Sequence, residues 1–226
     1  MTKYRLISFK TCPWVQRAAI VPREKKVEFE FVHIESGSRP DWFGEISPQG
    51  KVPVLRIDER IALFESNAIA EYLDDTIQPR LHPEDPLVRA INRAWTDYIP
   101  TFSGVLGAVG GAKTDEELAA AREGVSKTFA RVEEALIKQG DGPFFNGGRY
   151  ALVDAGYAPF LQRYRIVEEL TDDRPLTLQY PRVRKWAEAL IERPTTHSFP
   201  PDVFRALYLE GLKRRDGLIA RRALSS

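Results

Sequence analysis

The sequence is poor in the residues that usually mark chemistry. It holds one cysteine, Cys12, and three histidines, His33, His82 and His197. A lone cysteine excludes an intramolecular disulfide and a cysteine-built metal cluster. The histidines are scattered without ligand-like spacing, so no metal is expected. No apolar run approaches the roughly 18 residues of a membrane helix, so no membrane partner is expected. The first apolar stretch is soon interrupted by Lys10 and is too short for a signal peptide, which makes a cytoplasmic location the default expectation. A formal net charge of +1 supplies no whole-protein field for nucleic acid or anionic lipid. The basic cluster Lys213, Arg214, Arg215, Arg221 and Arg222 reads as a solvated helix face, so no nucleic-acid partner is expected. Repeats and low-complexity tracts are absent.

What is present is a chain of 226 residues, 43% hydrophobic and 29% charged, proportions that allow a sizeable core. Its first 78 residues alternate strand and helix signals. Tyr4 to Phe9 reads as a strand and Pro13 to about Lys25 as a helix. Val27, Phe29 and Phe31 alternate with Glu28 and Glu30, the period of a half-buried strand. A short helix or turn is expected around Trp42 and Phe43. Residues 54–57 and 61–64 form an expected hairpin across Asp58-Glu59-Arg60, without the favoured Asn-Gly turn. Ser66 stands where a helix N-cap is wanted, ahead of the stripe Ile69, Ala70, Tyr72 and Leu73. Prolines 79, 83 and 86 mark residues 79–86 as a linker. From 87 to 226 the strand signals vanish. Helices are expected from Pro86 to about Leu106, from Thr114 to about Lys138 behind a Thr114–Glu117 capping box, over 152–167 and over 182–191. A charged amphipathic segment spans 208–224.

Three local features carry chemistry. Cys12 follows a strand and precedes Pro13, which is favoured in the first turn of a helix. The thiol therefore lands at a helix N-terminus, where free N–H groups and the macrodipole favour its thiolate, and it is expected to ionise below the reference of about 8.5, with a small buried hydrophobe as the competing reading. Such a thiolate attacks disulfide sulfur. Residue 15 is valine, so any resolving thiol comes from outside. The second feature is Ser47-Pro48-Gln49-Gly50-Lys51-Val52-Pro53. From the residues alone, Pro53 is an ordinary trans proline opening a strand, with a cis bond as the alternative. The third is Glu65-Ser66-Asn67 at a helix start, an N-cap with anion-binding capacity.

Together these features resemble the glutathione transferase superfamily over nearly the whole chain. The resemblance implies an α/β thioredoxin-like N-terminal domain followed by an all-α helical-bundle domain that contributes the second-substrate pocket. It implies a cis Val52–Pro53 bond, pairing of the Val52 backbone with the cysteinyl part of glutathione, and Glu65 and Ser66 on the γ-glutamyl end. Thr11-Cys12-Pro13-Trp14 and Arg39-Pro40-Asp41-Trp42-Phe43 are similar to the omega class. There Arg39 would meet the glycine carboxylate as a two-pronged donor. Trp14 stands in place of the usual phenylalanine. Ala151-Leu152-Val153-Asp154 resembles the family's helix-capping box but lacks the first hydroxyl, a loss of about 1 kcal/mol. Trp14, Trp95, Tyr98 and Phe102 are the candidates for the second-substrate pocket. A helix-packing stripe is the competing reading of the last three. The activity implied is a cysteine-type one: reduction of mixed disulfides or dehydroascorbate, or removal of glutathione from a thioether, through a Cys12–glutathione disulfide. Glutathione is the co-substrate, with no metal, and a homodimer is implied. An isomerase or reductive dehalogenase using glutathione, and a non-catalytic binding protein of the same fold, are the alternatives.

Overall fold

The computed structural model describes residues 2–35, 37–171 and 175–225. The N-terminal half builds one sheet in the order β2-β1-β3-β4. Strand β1 (Tyr4–Ser8) lies parallel to β2 (Glu30–His33) and antiparallel to β3 (Val54–Ile57), which pairs with β4 (Ile61–Phe64). Helix α1 (Pro13–Glu24) provides the crossover that a parallel pair requires. Short helix α2 (Trp42–Ile46) precedes β3, and α3 (Ser66–Thr76) follows β4. This is the thioredoxin-like arrangement. The alternation of Val27, Phe29 and Phe31 begins earlier than the strand itself, because Val27 N–H is drawn back to Pro22 O instead of pairing. The 57–60 turn closes with Arg60 N–H on Ile57 O, and both central residues are left-handed, Asp58 at φ 49° and Glu59 at φ 58°. The hairpin twist demands that conformation, and here two acidic residues adopt it in place of Asn-Gly.

Residues 77–85 connect the halves. Lys25 Nζ pairs with Asp74 at 2.9 Å, both side chains essentially buried, and donates to the carbonyls of Ile77 and Pro79. Asp74 in turn accepts from the N–H groups of Leu81 and His82. Beyond it come α4 (Pro86–Asp97), α5 (Ile99–Gly111), α6 (Asp115–Lys138), α7 (Leu152–Thr171), α8 (Pro181–Glu192), α9 (Pro201–Arg214) and α10 (Leu218–Ser225). The helix expected over 86–106 is two helices, broken at Tyr98, because Pro100 cannot continue the α4 hydrogen-bond ladder. The C-terminal segment is likewise two helices, separated by left-handed Asp216 and by Gly217. At Gly217 a Cβ would sit 2.5 Å from Gly110 O. Arg222 pairs with Asp115 at 2.7 Å, at the start of α6.

Helix α7 is the axis of this half, buried at every residue from Leu152 to Tyr164. Gly156 lets it approach α5, since a Cβ there would lie 2.5 Å from Ile99 Cδ1. Thr114 caps α6 by accepting from Glu117 N–H. The Glu117 carboxylate reaches back to Lys113 N–H, one residue before the cap. Among the described residues no helix is long and apolar enough to cross a membrane, and no cluster of His, Cys, Asp and Glu could hold a metal ion.

Candidate active site

Cys12 occupies the N-cap position of α1, with extended backbone and Pro13 in the first turn. Its N–H donates to Phe9 O and its C=O accepts from Gln16 N–H, so the loop between β1 and α1 is fixed on both sides of the sulfur. The thiol is half-buried. Burial pushes it above its ordinary value, against the N–H groups of Val15 and Trp14 and the guanidinium of Arg163, which pull it down. The expectation of a depressed thiol is therefore corrected. The helix terminus acts as expected, but the desolvation of the half-buried thiol is larger.

A cleft of about 410 Å³ lies beside this loop, within the range of small-molecule sites. Trp14, Ser47, Val52, Pro53, Glu65 and Ser66 line it from the N-terminal half, and Thr96, Asp97 and Pro100 from the helical half. The Val52–Pro53 bond is cis, as is Gln78–Pro79. Helix α3 begins at Ser66 itself, so the N-cap is Glu65 and not Ser66, and no side chain caps the helix. Glu65 has φ 68°, a conformation that costs a non-glycine residue roughly 1–3 kcal/mol and clusters at functional sites. It leaves buried Ser66 and the unsatisfied N–H groups of α3 at the cleft wall.

Cys12 is not part of that lining. It faces a narrower cavity of about 40 Å³ with Lys10, His33 and Phe204, while Trp14, two residues on, reaches the cleft. Arg39 also lies outside the lining. Its guanidinium sits over the Phe9 ring at 5.9 Å and so close to Gly50 that a Cβ there would come within 2.8 Å of Nη1. Its neighbours Gln49 and Lys51, joined by a 2.8 Å hydrogen bond, form the rim instead.

Trp14 packs edge-on against Phe160 at 4.9 Å and is the one second-substrate candidate in the cleft wall. Trp95 packs on Tyr98 and Phe145, and its carbonyl accepts from Tyr157 OH. Tyr98 carries Arg131 on its ring and hydroxyl. Phe102 is fully buried between Phe129 and Tyr157. These three form the helix-packing stripe, and the adjacent face of α4 presents Thr96, whose buried hydroxyl has no hydrogen-bond partner among the described residues.

Two buried arginines escaped the sequence reading. Arg17, on α1, lines the cleft and donates to Asn67 Oδ1 at 2.5 Å. Burial lowers it to about 10, opposed by Glu71, Tyr157 and Asp97, so it remains a cation at neutral pH. Arg163, on α7, donates to Thr11 O at 2.8 Å, next to Cys12. The missing hydroxyl at Ala151 is offset from the other side. Asp154 accepts from Ala151 N–H, Phe145 N–H and Trp186 Nε1–H at 2.7–2.9 Å.

Residues 6–80 match the description "Glutathione S-transferase, N-terminal domain" and residues 115–189 match "Glutathione S-transferase, C-terminal domain". A probable glutathione transferase omega-2 of Caenorhabditis elegans is 31% identical over 84% of this chain and 78% of its own length. Rat glutathione S-transferase omega-1 is 28% identical over 91% of this chain and 86% of its own. The structure of rice GST1 in complex with glutathione superposes with a TM-score of 0.81 at 26% identity, covering 94% of this chain and 97% of that one. Sequence, sheet order and cleft thus agree, and the chain belongs to the glutathione S-transferase family, with omega-class members among its relatives.

Proposed function

We propose that this transferase is of the cysteine type and acts as a glutathione-dependent thiol transferase. The observation that carries the reading is the position of its sole cysteine at the N-cap of α1, two residues from the wall of the cleft. In this reading the Val52 backbone pairs with the cysteinyl part of glutathione, and Pro53 shapes the wall beside it. Ser66 and the N-terminus of α3 take the γ-glutamyl carboxylate, Glu65 its ammonium, and Lys51 at the rim the glycine carboxylate, with Arg39 as a second cation behind Gly50. The Cys12 thiolate attacks the glutathione sulfur of a mixed disulfide, so that a Cys12–glutathione disulfide forms and the substrate thiolate leaves. The thiolate of a second glutathione then attacks the same glutathione sulfur, releasing glutathione disulfide and the Cys12 thiolate. Without a second cysteine, that external thiol is obligatory.

Intact mass after exposure to glutathione disulfide tests the reading. Wild type is expected to gain one glutathione and Cys12→Ser none. An unmodified wild type, or an adduct persisting in Cys12→Ser, overturns it.

A further inference from the structure

Arg163 is about nine-tenths buried in the middle of α7. Among the described residues it has no carboxylate within ion-pair distance. Its three hydrogen bonds all end on neutral acceptors: Nη1 donates to Gln16 Oε1 at 2.7 Å and to Pro159 O at 2.6 Å, and Nη2 donates to Thr11 O at 2.8 Å. The Phe204 ring covers it at 4.9 Å from the centroid. Gln16 continues the network to Gln162 Oε1 and Thr196 O. A buried guanidinium without a counter-ion is costly, and its position relative to Cys12 gives that cost a purpose.

We propose that Arg163 is a positioning residue for the transfer reaction: it anchors the carbonyl immediately before Cys12 and is the counter-charge for the Cys12 thiolate. This rests on Cys12 being the reacting group. Because the thiolate appears only when Cys12 ionises, the ion pair forms at the moment the nucleophile does and relaxes when the mixed disulfide neutralises it. The other charged or titratable groups facing this spot are few. Lys10 and His33 share the narrow cavity with Cys12, and Tyr208 and Arg215 approach Arg163 from the C-terminal region. Burial and Lys10 hold His33 below its ordinary value, so it is neutral where the thiol titrates. Arg163 and Cys12 each shift the other toward its charged form.

Since the chain has one cysteine, the iodoacetamide reaction rate followed against pH reads Cys12 alone, without glutathione. Removing the charge in Arg163→Gln or Arg163→Met is expected to raise the midpoint by about one pH unit, a tenfold loss of thiolate below both midpoints. Arg163→Lys is expected to stay within a few tenths of wild type, and Arg215→Gln, at the exposed neighbour, to leave the midpoint unmoved. A folded neutral variant with the wild-type midpoint overturns the proposal, as does a shift in Arg215→Gln equal to that in Arg163→Gln. Gln retains the donor to Gln16, so it decides the question if Met does not fold. A failed glutathione adduct with an intact Arg163 effect would sink the thiol-transferase reading, and the reverse pattern would sink only this inference.

Discussion

Helix α7 carries three buried charged side chains, Asp154, Arg163 and Glu168, and the first two, nine residues apart, are treated in opposite ways. Asp154 is fully buried and accepts from three N–H donors, which tie the 145–151 loop, the helix start and Trp186 of α8 together. Arg163 is nearly as buried, yet its three hydrogen bonds end on neutral acceptors, one of them the carbonyl before Cys12. The first environment is complete in the resting protein. The second is completed only when Cys12 ionises. A buried charge surrounded by its own donors serves the fold, and one left without a counter-ion marks where charge develops during reaction.

That contrast can be broken by mutation. The largest effect is expected for Asp154→Ala, which orphans three buried donors and should cost roughly 4 kcal/mol of unfolding free energy in urea, with the Cys12 alkylation midpoint unchanged. Next is the acid limb of stability. Burial pushes Glu71 up, but hydrogen bonds from His82 and Arg93 outweigh it and bring it down to about 2. A carboxylate depressed in the fold stabilises above its unfolded value of about 4.3 and loses that contribution as pH falls toward 2. Discounted for the half-exposed Arg93, Glu71→Gln should remove about 2 kcal/mol at pH 7 and flatten stability between pH 5 and pH 2. The smallest stability change is expected for Arg163→Met, about 1 kcal/mol, because removal of an uncompensated buried ion offsets most of the cost of the acceptors left at Gln16, Pro159 and Thr11. If Arg163→Met destabilises as much as Asp154→Ala, the distinction between the two charges collapses.

The sheet half of the site was legible because its signals are local. Cys12-Pro13 places the cysteine at a helix start, and residues 47–55 and 65–66 lie within single turns of their own strands and helices. The helical half was not. A stripe at helical spacing reveals an apolar face but not its partner, so Trp95, Tyr98 and Phe102 pointed to the cleft while Thr96, Asp97 and Pro100 reach it. The break at Tyr98 separates Phe102 from the face that Trp95 shares. The rise in the Cys12 thiol was invisible for a related reason, since part of the wall around it comes from Phe199 and Phe204, nearly two hundred residues away. One signal for Arg163 was present: residues 155–161 carry no charged or amide side chain, which marks that stretch of the helix as interior, and Gln162 and Arg163 follow it directly.

Cys12 opens onto its own narrow cavity and not onto the larger cleft, so the link between the two is the claim most worth testing. Iodoacetamide labelling of wild type with and without saturating S-methylglutathione, which fills a glutathione site but cannot exchange disulfides, tests it most directly. The account predicts at least a tenfold slowing when the cleft is filled; labelling at full speed beside a bound tripeptide would contradict it.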